Sequence, residues 1–131
     1  MQRILVIDDE PFVLEALKRV LSSTASVVGA STADAGLSAM RESAVDLVII
    51  DVILPGMDGV AAIKIIRRDY PDVRIIAISG GGNFGLNAYL PDAISTTAYL
   101  AACKAAGANG TLTKPFETAE LRSLIQQVQA A

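Results

Sequence analysis

Apolar residues follow two alternating rhythms along the chain. Residues 3–8 (RILVID) form a short run of mostly branched apolar side chains. The segment PFVLEALKRVLSS then places Phe12, Leu14, Ala16, Leu17, Val20 and Leu21 at helical spacing. The pair recurs as residues 26–31 before 33–43, as 46–51 before 59–69, and as 73–79 before a helix ending near Ala106. Residues 110–113 and 117–130 complete the series. Five strands alternating with five helices predict an α/β fold, a single-layer five-stranded parallel sheet flanked by the helices. The strands are almost continuously apolar rather than alternating, so both faces of the sheet are expected to be covered.

One interval breaks the rhythm. Residues 80–91 (GGGNFGLNAYLP) hold three successive glycines and two asparagines without a clear period, which predicts a long loop. The next helix is expected to begin from Asp92 or from Ser95 as its cap, and Gly107 to stop it. No internal repeat, low-complexity tract or interdomain linker is visible. A chain of 131 residues with 52% hydrophobic residues suits one compact domain, so residues 1–131 are expected to form a single domain with no output domain.

Composition then removes classes of function. The net charge of −3 and a pI near 4.8 argue against binding nucleic acid through its phosphates. The acidity is local, because residues 1–51 carry eight acids and four bases (−4) and residues 52–131 six acids and seven bases (+1). Histidine is absent, which excludes histidine-based nucleophile systems, histidine metal sites and a phosphohistidine within this chain. The lone Cys103 cannot pair internally. The opening MQRILVIDDE has too few successive apolar residues for a signal peptide or a membrane span, so the expected setting is the cytoplasm without membrane insertion.

The chemistry gathers at strand ends. Asp8 and Asp9 end the first strand, Asp51 the third and Ser79 the fourth, while Lys114 follows the fifth. Open parallel sheets bind ligands beyond their carboxyl edge where strand order reverses, and in a 2-1-3-4-5 order that point lies between strands one and three. Asp8, Asp9 and Asp51 would converge there. Their mutual repulsion calls for a cation, and hard oxygen ligands without Cys or His point to Mg²⁺. Taken singly, each aspartate can also be read as a helix cap or a turn residue. Capping does not explain a lysine and a hydroxyl arriving at the same edge from two further strands.

In their order and spread across the chain, IDDE, DVILPGMDG, AISG and TKPF resemble the receiver domain of two-component response regulators. The resemblance implies a flavodoxin-like fold with Asp51 as the phosphoacceptor. It also implies that Asp9, Asp51 and the backbone carbonyl of Ile53 hold Mg²⁺, with Asp8 acting mostly through water. Ser79 would be the hydroxyl that follows the phosphoryl group and Lys114 its counter-charge, before a cis Lys114–Pro115 bond. Gly80 would leave the phosphoryl group open to water and offer backbone N–H groups, or serve as a turn glycine only. The implied partners are a histidine kinase or histidine phosphotransfer protein and a downstream protein target met by docking, the chain being a monomer or weak dimer. In this view the chain is not a conventional enzyme but catalyses its own phosphorylation and dephosphorylation.

The chain departs from the family pattern in two ways. Thr111 stands three residues before the lysine, where receivers usually carry an aromatic switch residue, and the 35-residue spacing from Ser79 to Lys114 is long. Certain stand-alone receivers resemble this chain in a glycine-rich SGGG stretch and a later pattern here formed by Tyr99, Leu100, Gly107, Ala108, Leu112 and Lys114, Pro115 and Phe116. The competing readings are an unphosphorylated pseudo-receiver acting as a protein-interaction module, a haloacid-dehalogenase-type phosphatase and a flavodoxin-like flavin binder. The phosphatase would need its nucleophile on the first strand. The flavin binder would need a phosphate loop where three acids stand.

Overall fold

The computed structural model describes residues 2–54, 57–79 and 92–130, the side chains of residues 92–97 excepted. Its elements run β1 (Gln2–Ile7), α1 (Pro11–Leu21), β2 (Ala25–Ala30), α2 (Ala33–Glu42), β3 (Leu47–Asp51), α3 (Gly59–Asp69), β4 (Arg74–Ser79), α4 (Asp92–Ala106), β5 (Gly110–Thr113) and α5 (Thr118–Ala130). The strands form one parallel sheet, as the sequence pattern predicts, in the order β2-β1-β3-β4-β5 expected of a flavodoxin-like fold.

The apolar strand runs are explained by burial on both faces. Leu5, Ile7, Val48, Ile50, Ile75 and Ala77 face a core shared with α2, α3 and Cys103 of α4. Ile4, Val6, Leu47, Ile49, Ile76 and Ile78 face a second core built with Leu17 and Leu21 of α1 and Leu121, Ile125 and Val128 of α5. Consecutive strand residues therefore serve opposite half-cores, and there is no polar face to produce an alternating sequence.

Helix boundaries follow local chemistry. Thr32 and Asp58 cap α2 and α3 by accepting from the N–H groups of Ala35 and Val60. Pro11 opens α1 without a side-chain cap from Glu10. Helix α4 begins at Asp92, the earlier of the two starts the sequence allows. It ends at Gly107, whose φ of +127° admits glycine far more readily than any other residue. There the N–H of Ala108 reaches back to the Cys103 carbonyl and that of Gly107 to the Lys104 carbonyl, which closes the helix end.

One sequence expectation is corrected in α1. Helical spacing groups Phe12 and Ala16 with the core residues, yet both are exposed, Phe12 at 85%. The buried stripe is centred on Leu17 and Leu21 and flanked by Val13, Leu14 and Val20, and at about 100° per residue Phe12 falls on the opposite face of the helix and Ala16 well to one side of the stripe. The predicted loop over 80–91 lies outside the described residues. Among the described residues no helix is long and apolar enough to cross a membrane.

Candidate functional site

Sheet register assembles the site. Ile7 pairs with Ile50 and Asp51 with Ile78, so the residues just beyond β1 meet the end of β3. Ser79 pairs with Thr113, and the Lys114 N–H donates to the Ser79 carbonyl at 2.8 Å. Four strands thus deliver Asp8, Asp51, Ser79 and Lys114 to one edge. The buried polar or charged residues among those described are Asp8, Asp51 and Ser79, and all three are here. Buried polar groups are costly unless partnered, so their concentration at one place calls for a functional explanation.

Lys114 organises the cluster. Its Nζ donates to Asp8 Oδ2 at 3.0 Å, to Asp51 Oδ2 at 3.2 Å and to Glu10 Oε1 at 3.3 Å. The other carboxylate oxygens are also engaged: Asp8 Oδ1 accepts from the Glu10 N–H and Asp51 Oδ1 from the Ile53 N–H, each at 2.9 Å. Both aspartates are therefore fixed in orientation by the turn that follows their strand. The Lys114–Pro115 peptide is cis. Gly59 makes its own close approach, donating its N–H to the Val52 carbonyl at 3.2 Å, which ties the start of α3 to the residue after Asp51.

The charges are unevenly compensated. Burial, aided by the Asp8 charge, raises the Asp51 carboxyl above its ordinary value, while the Ile53 N–H and Lys114 pull the other way without prevailing. Burial by itself would lower the Lys114 ammonium, but the Asp51 charge and the contact with Asp8 outweigh it and the ammonium is held more firmly protonated than usual. One cation is too few for this cluster. Asp8, Asp9 and Asp51 each present an oxygen within 4.8 Å of the other two, and Asp9 faces solvent. Three hard oxygen donors with an open approach fit a small divalent cation such as Mg²⁺.

The structure brings together Asp8, Asp9, Asp51 and Lys114, with Ile53 beside Asp51 through its N–H and Ser79 buried at the adjoining strand end. Gly80 lies outside the described residues. Thr111 is partly buried on β5, paired with Ala77. Sequence reasoning gave no role to Glu10. Its signal is the unusual glutamate at the N-cap of α1, which leaves the helix uncapped by its side chain and reaches Lys114 instead.

The comparisons with known proteins agree with one another. The family model described as response regulator receiver domain matches residues 4–126. The chain is 32% identical over 125 residues to the transcriptional regulatory protein YvrH of Bacillus subtilis, covering 94% of this chain and 47% of that protein. It is 30% identical over 129 residues to the transcriptional regulatory protein MctR of Rhizobium johnstonii, covering 96% and 54%. The chain thus spans about half the length of these curated relatives. Among solved structures, a response regulator receiver domain protein from Clostridium thermocellum superposes with a TM-score of 0.82 at 26% identity, covering 98% of this chain and 94% of that one. The receiver domain of NtrX from Brucella abortus does so with a TM-score of 0.81 at 27% identity, covering 95% and 96%. With its sheet order, its acidic edge and its lysine all in the matched span, the chain belongs to the response regulator receiver domains of two-component systems.

Proposed function

We propose that this receiver accepts a phosphoryl group on Asp51 from the phosphohistidine of a histidine kinase or a histidine phosphotransfer protein, in a Mg²⁺-dependent reaction. The observation that carries this reading is the buried Asp51 carboxylate held by Lys114 within the Asp8, Asp9 and Asp51 cluster. In the transfer an Asp51 oxygen forms a bond to phosphorus as the phosphorus–nitrogen bond breaks, and the imidazole leaves with the bonding pair.

A carboxylate is a weak nucleophile, so this chain's contribution is alignment and charge. The Ile53 N–H fixes one Asp51 oxygen. Lys114, kept protonated by its acidic neighbours, offers a cation where negative charge develops on the phosphoryl oxygens. Ser79 holds a hydroxyl at the same edge, and its backbone carbonyl positions Lys114. Asp9, Asp51 and the Ile53 carbonyl would hold a magnesium ion, with Asp8 acting through water, and the ion would supply further neutralisation there. Gly80, next to Ser79 in the chain, has no side chain to keep water from the phosphoryl group. Transfer to Asp51 signals in the cytoplasm to a protein target met by docking, and the receiver works as a monomer or weak dimer.

Incubation with acetyl phosphate and Mg²⁺, followed by intact-mass and peptide analysis, tests the reading. A single phosphoryl group on Asp51, absent in Asp51→Asn and without Mg²⁺, is the expected result. Asp9→Asn should also lose most of the thermal stabilisation that Mg²⁺ gives the wild type. Label retained by Asp51→Asn would overturn the assignment. A folded wild type that stays unlabelled would leave an unphosphorylated interaction module.

A further inference from the structure

Glu10 is the one partner of Lys114 that the phosphoryl-transfer chemistry does not require. Its backbone is held twice, by its N–H on Asp8 Oδ1 and by its carbonyl accepting from Val13 and Leu14 at the start of α1. Its side chain is free to cap that helix and does not; it turns to Lys114 and remains 58% exposed. By contrast the side chains of Asp8 and Asp51 on the same ammonium are 2% and 7% exposed. Glu10 is therefore the outermost of the three carboxylates that meet Lys114, and like Asp9 it faces solvent. It is the exposed contact of the lysine that must receive an incoming phosphoryl group, and it is the third acceptor on an ammonium with three N–H donors.

We propose that Glu10 acts as a charge filter at the mouth of this site, slowing phosphoryl uptake from small dianionic donors more than from donors of lower charge. The inference rests on Asp51 being the phosphoacceptor. A negative charge a few ångströms from the approach path repels a donor in proportion to the donor's own charge, and does so more strongly at low salt. A phosphohistidine presented by a docked protein has the rest of its interface to offset that repulsion, and a small free anion has none. Glu10 is thus a specificity-determining residue that favours protein-borne donors.

The test compares acetyl phosphate, a dianion at neutral pH, with phosphoramidate, which carries one net negative charge. With acetyl phosphate the Asp51 oxygen–phosphorus bond forms as acetate leaves with the bonding pair; with phosphoramidate the nitrogen takes the pair and departs as ammonia. Glu10→Gln is expected to raise the acetyl phosphate rate roughly three- to tenfold and the phosphoramidate rate by clearly less, the gap narrowing in high salt. Glu10→Asp, which keeps the charge but shortens the reach to Lys114, should keep the wild-type ratio of the two rates. Equal acceleration or equal slowing with both donors would overturn the proposal, as would Glu10→Asp behaving like Glu10→Gln, because Glu10 would then act only by holding Lys114. A folded wild type labelled by neither donor would refute the Asp51 reading itself, an outcome distinct from these.

Discussion

Replacing Arg67 with alanine should cost more stability than any surface substitution of similar exposure. The guanidinium in the last turn of α3 donates through Nη1 to the carbonyls of Pro71 and Val73 at 2.8 and 2.7 Å. Through Nε and Nη2 it reaches the Gly107 carbonyl at 3.2 and 2.8 Å, and through Nη2 the Asn109 Oδ1 at 2.8 Å. One side chain thus fastens the end of α3, the entry to β4 and the link from α4 to β5. A net hydrogen bond involving a charged group contributes about 1.5–3 kcal/mol, but these five share one side chain and water can replace some of them. A loss of about 2–4 kcal/mol is the working figure, a large part of the roughly 5–15 kcal/mol that stabilises a typical domain. At about 3–5 °C per kcal/mol for this size, the melting temperature should fall by roughly 6–20 °C. The chain has no tryptophan, so urea unfolding followed by far-ultraviolet circular dichroism is the assay. The midpoint should drop with the slope unchanged. Arg67→Lys should recover less than half, because one compact ammonium cannot span acceptors on both sides. A change within about 0.5 kcal/mol for Arg67→Ala, or full recovery with lysine, would refute the reasoning.

Three further outcomes follow from the described geometry. In chelator at neutral pH, Asp51→Asn should be more stable than wild type by about 1 kcal/mol. The raised carboxyl binds its proton more tightly when folded, so it stabilises the fold at low pH and that contribution is lost as pH rises through the folded value. The advantage of the variant should accordingly shrink as pH falls toward 3.8, and an advantage independent of pH would count against this cause. The Cys103 thiol, fully buried and pushed up to about 11 by burial and the Asp58 charge, should ignore a disulfide reagent at mildly alkaline pH and react at once in urea, whereas prompt native labelling would show that α4 opens. Gly59→Ala should cost about 1–3 kcal/mol in urea unfolding, since the new methyl would stand 2.6 Å from the Val52 carbonyl oxygen, and a neutral result would mean the turn after Asp51 can step back.

The sheet and most of the site were legible because they obey short-range rules. Branched apolar runs become strands wherever both faces are covered, and the strand ends then fix where Asp8, Asp51 and Ser79 must lie. The order IDDE, DVILPGMDG, AISG and TKPF narrowed the chemistry further. Contacts between distant positions were not legible. A glutamate at the N-cap of α1 marks Glu10 as unusual but does not say that its partner is Lys114, 104 residues away, and Arg67 finds Gly107 across 40 residues. Phe12 is apolar yet lies at about 100° per residue on the face of α1 opposite Leu21, so residue type alone misleads there and the angular position decides.

The acidic edge also has a history within each molecule. All three aspartates belong to the first 51 residues, whereas Lys114 is contributed just beyond the strand that closes the sheet. During synthesis the aspartates emerge long before their counter-charge, and a chain still lacking β5 carries carboxylates that repel one another. Placement of the last strand both completes the sheet and relieves that repulsion. A chain that stops short of β5 therefore lacks Lys114, the cation that Asp8 and Asp51 share.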